Sequence, residues 1–151
     1  MNTTFRRVSG DVAERIDLEI RKANTMNFSF VFAENSGLPL DLTAFSTIEF
    51  EVLNSQVSPV ISADLATGLS ISGAGSNILS LEKSAQETDI NAGKYSYRVT
   101  FTKPSYQRII LSGFFYINDG VKDITTPREL NGITLVFING KHYTVTVSNI
   151  K

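Results

Sequence analysis

Hydrophobic and polar residues alternate along most of this chain. Met26, Phe28, Phe30 and Phe32 share one parity, with Asn27, Ser29 and Val31 on the other. Ile48, Phe50 and Val52 are interleaved with Glu49 and Glu51, and Tyr95, Tyr97, Val99 and Phe101 with Ser96, Arg98 and Thr100. Period two marks half-buried strands, one face on a core and the other in water. Further apolar runs cover 16–20, 60–65, 69–72, 78–82, 108–117, 134–138 and 143–148. About ten short strands at near-regular spacing predict an all-β, antiparallel β-sandwich. Its core is expected on Phe28, Phe30, Phe32, Ile48, Phe50, Val52, Tyr95, Tyr97, Val99 and Phe101.

The residues between the runs agree with strands joined by turns. Gly73-Ala74-Gly75-Ser76-Asn77 reads as a hairpin loop, and Pro104 in Lys103-Pro104-Ser105-Tyr106 cannot continue a ladder. Asn139-Gly140 suits a type I′ turn, which needs positive φ at both central positions. Helix is scarce. Ser84 and Glu87 form a capping-box pattern that predicts one or two turns, and Asp11 could cap another short turn.

This patterning divides the chain into a polar arm over 1–15, a sandwich over 16–117, and a linker with a C-terminal hairpin over 118–151. The hairpin is unusually apolar. Ile133, Leu135 and Phe137 fall on one face, with Leu130, Val136 and Ile138 on the other. An isolated two-stranded hairpin is marginal in water, so it must pack on the sandwich or on another chain. Exposed apolar patches of that size mark interaction sites. Leu130, Ile133, Leu135, Phe137 and Val145 are therefore expected at a subunit interface, in a closed homo-oligomer whose first expected symmetry is three-fold. The competing reading has the hairpin fold back and extend or cap the sandwich.

Composition narrows the function classes. The 151 residues carry 14 Lys plus Arg against 15 Asp plus Glu, a balance with no field to draw in nucleic acid or an anionic membrane. Zero cysteines exclude disulfides, thiolate zinc sites and a cysteine nucleophile, and one histidine excludes any two-imidazole site. No apolar run reaches the roughly 18 residues of a membrane span. The N-terminal Met1–Arg7 stretch lacks the apolar core of a signal peptide, an expectation of cytoplasmic synthesis.

The remaining candidates for chemistry each have a plainer reading. Glu49 and Glu51 sit roughly 6.6 Å apart along one strand face, a separation like that of a glycosidase acid pair. One solvated strand face rarely drives two carboxyl pKa values apart, so a solvent-facing role is expected. His142, beside the hairpin turn, lacks a nearby nucleophile and acid. The 118–123 loop, Asn118-Asp119-Gly120-Val121-Lys122-Asp123, offers oxygen ligands without calcium-loop spacing, and Gly73-Ala74-Gly75 has no Gly-Lys-Ser/Thr after it. No enzyme activity, metal or cofactor is expected. Among ten Phe and five Tyr, Phe114-Phe115-Tyr116 must split between faces, and Tyr106 lies in its loop. Outward aromatics serve sugar stacking or protein contact, and the absence of Trp favours the second.

The order of motifs resembles a known family. The segment 17–30, then Gly37-Leu-Pro-Leu-Asp-Leu-Thr43, Ser84 to Thr88, Gly93-Lys-Tyr95-Ser-Tyr97 and Leu111-Ser-Gly113 follow the pattern of phage baseplate-upper-protein N-terminal domains. Ala23-Asn24 stands where those domains usually have Gly-Asp, and the hairpin lies outside the matched region. The resemblance covers about 16–117. It implies an Ig-like β-sandwich and a bacteriophage virion structural protein in the baseplate, neck or head surface, assembled in the host cytoplasm with other virion proteins. It implies no catalytic residue. The alternative kept beside it is a carbohydrate-binding host-surface module.

Overall fold

In the computed structural model, described over residues 14–34, 36–119, 132–138 and 141–149, the chain forms two β-sheets packed face to face. Eleven strands are placed: β1 Glu14–Arg15, β2 Leu18–Arg21, β3 Met26–Ala33, β4 Thr47–Leu53, β5 Pro59–Asp64, β6 Leu69–Ser72, β7 Ile78–Lys83, β8 Gly93–Lys103, β9 Tyr106–Asn118, β10 Gly132–Ile138 and β11 Lys141–Asn149. The first sheet runs β1-β9-β8-β4-β5, with β2 also on β9, and the second runs β10-β11-β3-β7-β6. All ladders are antiparallel except those of β1 and β2, which lie parallel to β9. That pairing departs from the wholly antiparallel expectation. Strands β1 and β2 lie beside β9, and the chain then crosses through Lys22–Thr25 to open the second sheet.

Alternation assigned the core faces. Phe28, Phe30, Phe32, Ile48, Phe50, Val52, Tyr97, Val99 and Phe101 are buried, while Tyr95 is half-buried at the end of β8. Two aromatic groups fill the interior. Tyr97 stacks on Phe50 at 5.6 Å, with Phe115 edge-on to both, and at one end Phe101 meets Phe32 and Phe45. Such pairs add to the stabilisation that comes from area burial alone.

The strand order is that of a variable-type immunoglobulin sandwich. Strands β3, β7 and β6 stand as B, E and D, and β9, β8, β4 and β5 as G, F, C and C′. The Tyr95 hydroxyl donates to the Asn91 carbonyl at 2.6 Å, closing a tyrosine corner at the start of β8. Two residues on, Tyr97 occupies the place where antibody domains carry a cysteine, and packs there as an aromatic. Tyr95→Phe removes one hydroxyl and should lower stability by about 1 kcal/mol in urea denaturation. A change indistinguishable from zero would mean the corner bond adds nothing to the fold.

The C-terminal hairpin is part of the sandwich. Strand β11 pairs with β3 from Thr144↔Ala33 to Asn149↔Phe28, beside B where an immunoglobulin A strand lies. Val136, Ile138, Tyr143, Val145 and Val147 enter the core. Val145 corrects the sequence-based interface set: opposite Phe32, it is fully enclosed by its own chain and faces no partner. The reason is that β3 exposes an unpaired edge, and the hairpin satisfies it within the chain.

Turns carry the rest. The Ser84–Glu87 capping box forms, with Ser84 N–H donating to Glu87 and Glu87 N–H to the Ser84 hydroxyl, but it closes a turn and no helix. Ser84 and Lys83 hold the Glu87 carboxyl below its ordinary value. Leu42 plugs the end of the core from a single 3-10 turn, Leu42–Ala44, capped by Asp41. Ala23 takes the left-handed conformation at φ +59°, at the position where the resembling domains place glycine.

Candidate functional site

Of the residues weighed from sequence, Glu49, Glu51, Phe114 and Tyr116 share the outer face of the first sheet. Alternation sends Glu49 and Glu51 out of β4, Asp64 out of β5, Lys94 and Arg98 out of β8, and Ile109, Phe114 and Tyr116 out of β9. Ladder shifts at Val52/Leu53 and Val99/Thr100 bend this face. An open concavity of about 740 Å³ results, lined by Glu49, Glu51, Arg98, Thr100, Gln107 and Ile109 among others.

The face does not arrange its two glutamates as an acid–base pair. Arg98 Nε donates to Glu51 Oε1 at 3.0 Å across the β8/β4 ladder, whereas Glu49 is exposed opposite Asp64. The Arg98 ion pair engages the Glu51 carboxylate within its own sheet, so the two glutamates do not face one shared reacting position. The double change Glu49→Gln and Glu51→Gln should therefore shift stability by no more than about 1 kcal/mol, the scale of a partly exposed ion pair. Thermal denaturation measures it. A loss of several kcal/mol would make the Arg98 pair a main stabiliser of the sheet.

Beside this concavity the N-terminal strands dock on β9. Asp17 is the pivot: its carboxylate accepts from Phe114 N–H at 2.9 Å and from Arg15 Nε at 3.1 Å. Partial burial pushes the Asp17 carboxyl up, but those two donors outweigh it and hold Asp17 below its ordinary value. The core-facing Tyr97 hydroxyl donates to the Ile16 carbonyl. Burial first, and the Asp17 charge second, push that phenol far above the usual tyrosine range, so it stays protonated.

The outward aromatics are engaged by their own chain. The Arg15 guanidinium lies 4.2 Å and the Lys94 ammonium 3.8 Å from the Phe114 ring centroid. Tyr106 has Lys103 and Arg108 within 6 Å of its ring. Cation–π contact of this kind competes directly with sugar stacking. Phe115, between Phe114 and Tyr116, points into the core, so the triplet splits between faces as expected.

The structure keeps the other sequence candidates apart. Ile133, Leu135 and Phe137 lie on β10, with Thr146, Thr144 and His142 as their register partners, while their side chains and that of His142 lie outside the described residues. Leu130, the 120–131 part of the linker with its oxygen-bearing Asp123, and the 1–13 part of the arm also lie outside them. Gly73–Asn77 is the β6–β7 hairpin loop. Among the described residues no group of three or more His, Asp or Glu could hold a metal ion, and no helix is long and apolar enough to cross a membrane. Sequence reasoning missed Asp17 and Gly113, which join the arm to β9. The Leu111-Ser-Gly113 motif was the available signal. No family model and no curated protein matches this chain.

Proposed function

We propose that this chain is a structural protein of a tailed-phage virion, an adaptor or decoration of the baseplate, neck or head surface that binds other virion proteins and copies of itself. One observation supports this reading above the others: each motif behind the baseplate resemblance serves as a joint of the sandwich. Gly37–Thr43 leads into the 3-10 turn that plugs the core with Leu42. In the Ser84–Thr88 turn, the Thr88 hydroxyl donates to the Asn24 carbonyl at 2.6 Å and ties the turn to the β2–β3 connection. Gly93–Tyr97 carries the tyrosine corner, and Leu111–Gly113 receives the arm. Motifs used for building leave function to the surfaces, as in an assembly module. The cations over Phe114 and Tyr106 weigh against the carbohydrate-binding alternative.

Mass spectrometry of purified phage particles from a lysate of cells carrying this gene tests the reading. The chain should be present in particles at a fixed ratio to the other virion proteins. Its absence from particles, with the protein abundant in the soluble fraction, would overturn the proposal. Binding to a glycan array by the isolated protein would move the reading to the host surface.

A further inference from the structure

The segment from Ile16 to Lys22 is held by one part of the chain. Ile16 N–H donates to the Ser112 carbonyl at 3.0 Å, and Lys22 N–H to the Asn118 carbonyl at 2.7 Å. In the other direction, Phe114 N–H donates to Asp17 and the Tyr97 hydroxyl to the Ile16 carbonyl. Lys22 Nζ pairs with Asp89 at 3.0 Å and donates to the Ile90 carbonyl at 3.2 Å. Every one of these partners lies between Asp89 and Asn118, on β8, β9 and the turn before them. Gly113 shapes the seat, because a side chain there would strike the Ile16 carbonyl, and Leu18 and Ile20 cover the core beside it. The body of the sandwich thus carries a seat fitted to one extended sequence.

A tight turn joins this segment to β3. Asn24 N–H donates to the Arg21 carbonyl at 3.3 Å, and Ala23 sits in the turn at φ +59°. A Cβ is disfavoured in that region, and alanine has no polar side chain to offset it. Closing the segment onto its own body therefore requires a strained residue, and an extended Lys22–Thr25 does not. We propose that two copies exchange this segment, each laying its β1 and β2 along the other's β9. The occupant follows from a fit already seen within the chain: the Asp17, Leu18, Ile20 and Lys22 contacts re-form unchanged across the pair. The seat cannot stay empty, since the buried Tyr97 hydroxyl would lose its acceptor and the core its cover. Straightening the turn gives up two backbone bonds, Asn24 to Arg21 and Ala23 to Thr88, and the Thr88 carbonyl keeps its bond from Ile90 N–H. Four extended residues span about 13 Å, enough to bridge two bodies that meet at this end. Exchange of an identical element is a low-cost route to a dimer. It depends on the closed fold alone and stands apart from the virion reading.

The chain has no cysteine, so thiols introduced by substitution report the seat directly. Glu19 on β2 and Tyr116 on β9 are register partners. Full chains carrying Glu19→Cys alone and Tyr116→Cys alone are unfolded together and refolded as an equimolar mixture. The mixture is held at about 300 µM, just below the millimolar effective concentration of a short tether, and treated with a short bifunctional thiol reagent. Exchange joins the two different chains through a 19–116 link, whereas a chain carrying both substitutions reports the closed form as an internal link. The mixed link should form in clear excess over 19–19 and 116–116 links. Ala23→Pro, whose φ is fixed near −65°, should raise its yield at least about tenfold, and Ala23→Gly, at ease with positive φ, should lower it. Such opposite responses would not come from a merely structural role of Ala23, and far-ultraviolet circular dichroism checks that each chain folds. No mixed link with the native hinge, while the doubly substituted chain links internally, overturns the proposal. So do like-with-like links in equal yield, which mark random collision, or a folded Ala23→Pro chain that stays closed. If Ala23→Pro fails to fold, the native and Ala23→Gly chains decide.

Discussion

Gly113→Val is expected to destabilise the protein by about 4 kcal/mol, combining overpacking with a backbone forced to move. A Cβ at Gly113 would stand 2.3 Å from the Ile16 carbonyl oxygen and 2.9 Å from both the Ile16 carbonyl carbon and Asp17 Oδ1. Two of these three atoms are backbone, so no side-chain rotation relieves them. The segment between β1 and β2 must lift away from β9 instead. Lifting it breaks the Ile16 N–H bond to the Ser112 carbonyl at 3.0 Å and the Phe114–Asp17 bond. It also strips the Ile16 acceptor from the buried Tyr97 hydroxyl, and an unsatisfied buried donor costs more than the bond itself contributes. Leu18 and Ile20, both buried on β2, lose cover in turn. Urea denaturation measures the loss, and Gly113→Ala should reproduce most of it. A loss below about 1 kcal/mol for valine would show that the strand segments before Lys22 contribute little to the folded state.

Phe50→Ala is expected to cost about 3–5 kcal/mol, the range for removing a large aromatic from a closed core. Phe50 is 1% exposed at the centre of β4, between the register partners Val99 and Ala63. Its ring stacks on Tyr97 and meets Phe115, and these three rings fill the space that antibody sandwiches give to their cysteine bridge and tryptophan. Their neighbours come from opposed sheets, so collapse into the vacated volume would require the sheets to approach. A close-packed interior resists that. Chemical denaturation that showed a loss under about 1 kcal/mol would place the cavity in a region free to relax.

Sequence alone determined the strands and their buried faces. Alternation at Met26–Phe32, 48–52 and 95–101 identified nine buried core residues and left only Tyr95 short of full burial. A strand in a sandwich has one wet and one dry face, and that difference is written residue by residue. The same signal put Glu49 and Glu51 on the outer face, where Glu49 is exposed and Glu51 half-buried. It could not show that Arg98 would stand beside Glu51, because the two are joined by a long-range ladder. Nor could it locate the hairpin. Tyr143, Val145 and Val147 alternate as a half-buried strand should, yet alternation says that a face is covered without saying by what. The unpaired edge of β3 decided that, and with it the enclosure of Val145. The parallel docking of β1 and β2 over Gly113 depends likewise on the third dimension, since a glycine within a strand reads as a weakness until a crossing backbone occupies the missing side chain's place. Periodicity records the environment of each residue, whereas the pairing of strands is a property of edges far apart in the chain, and only the closed sandwich brings them together.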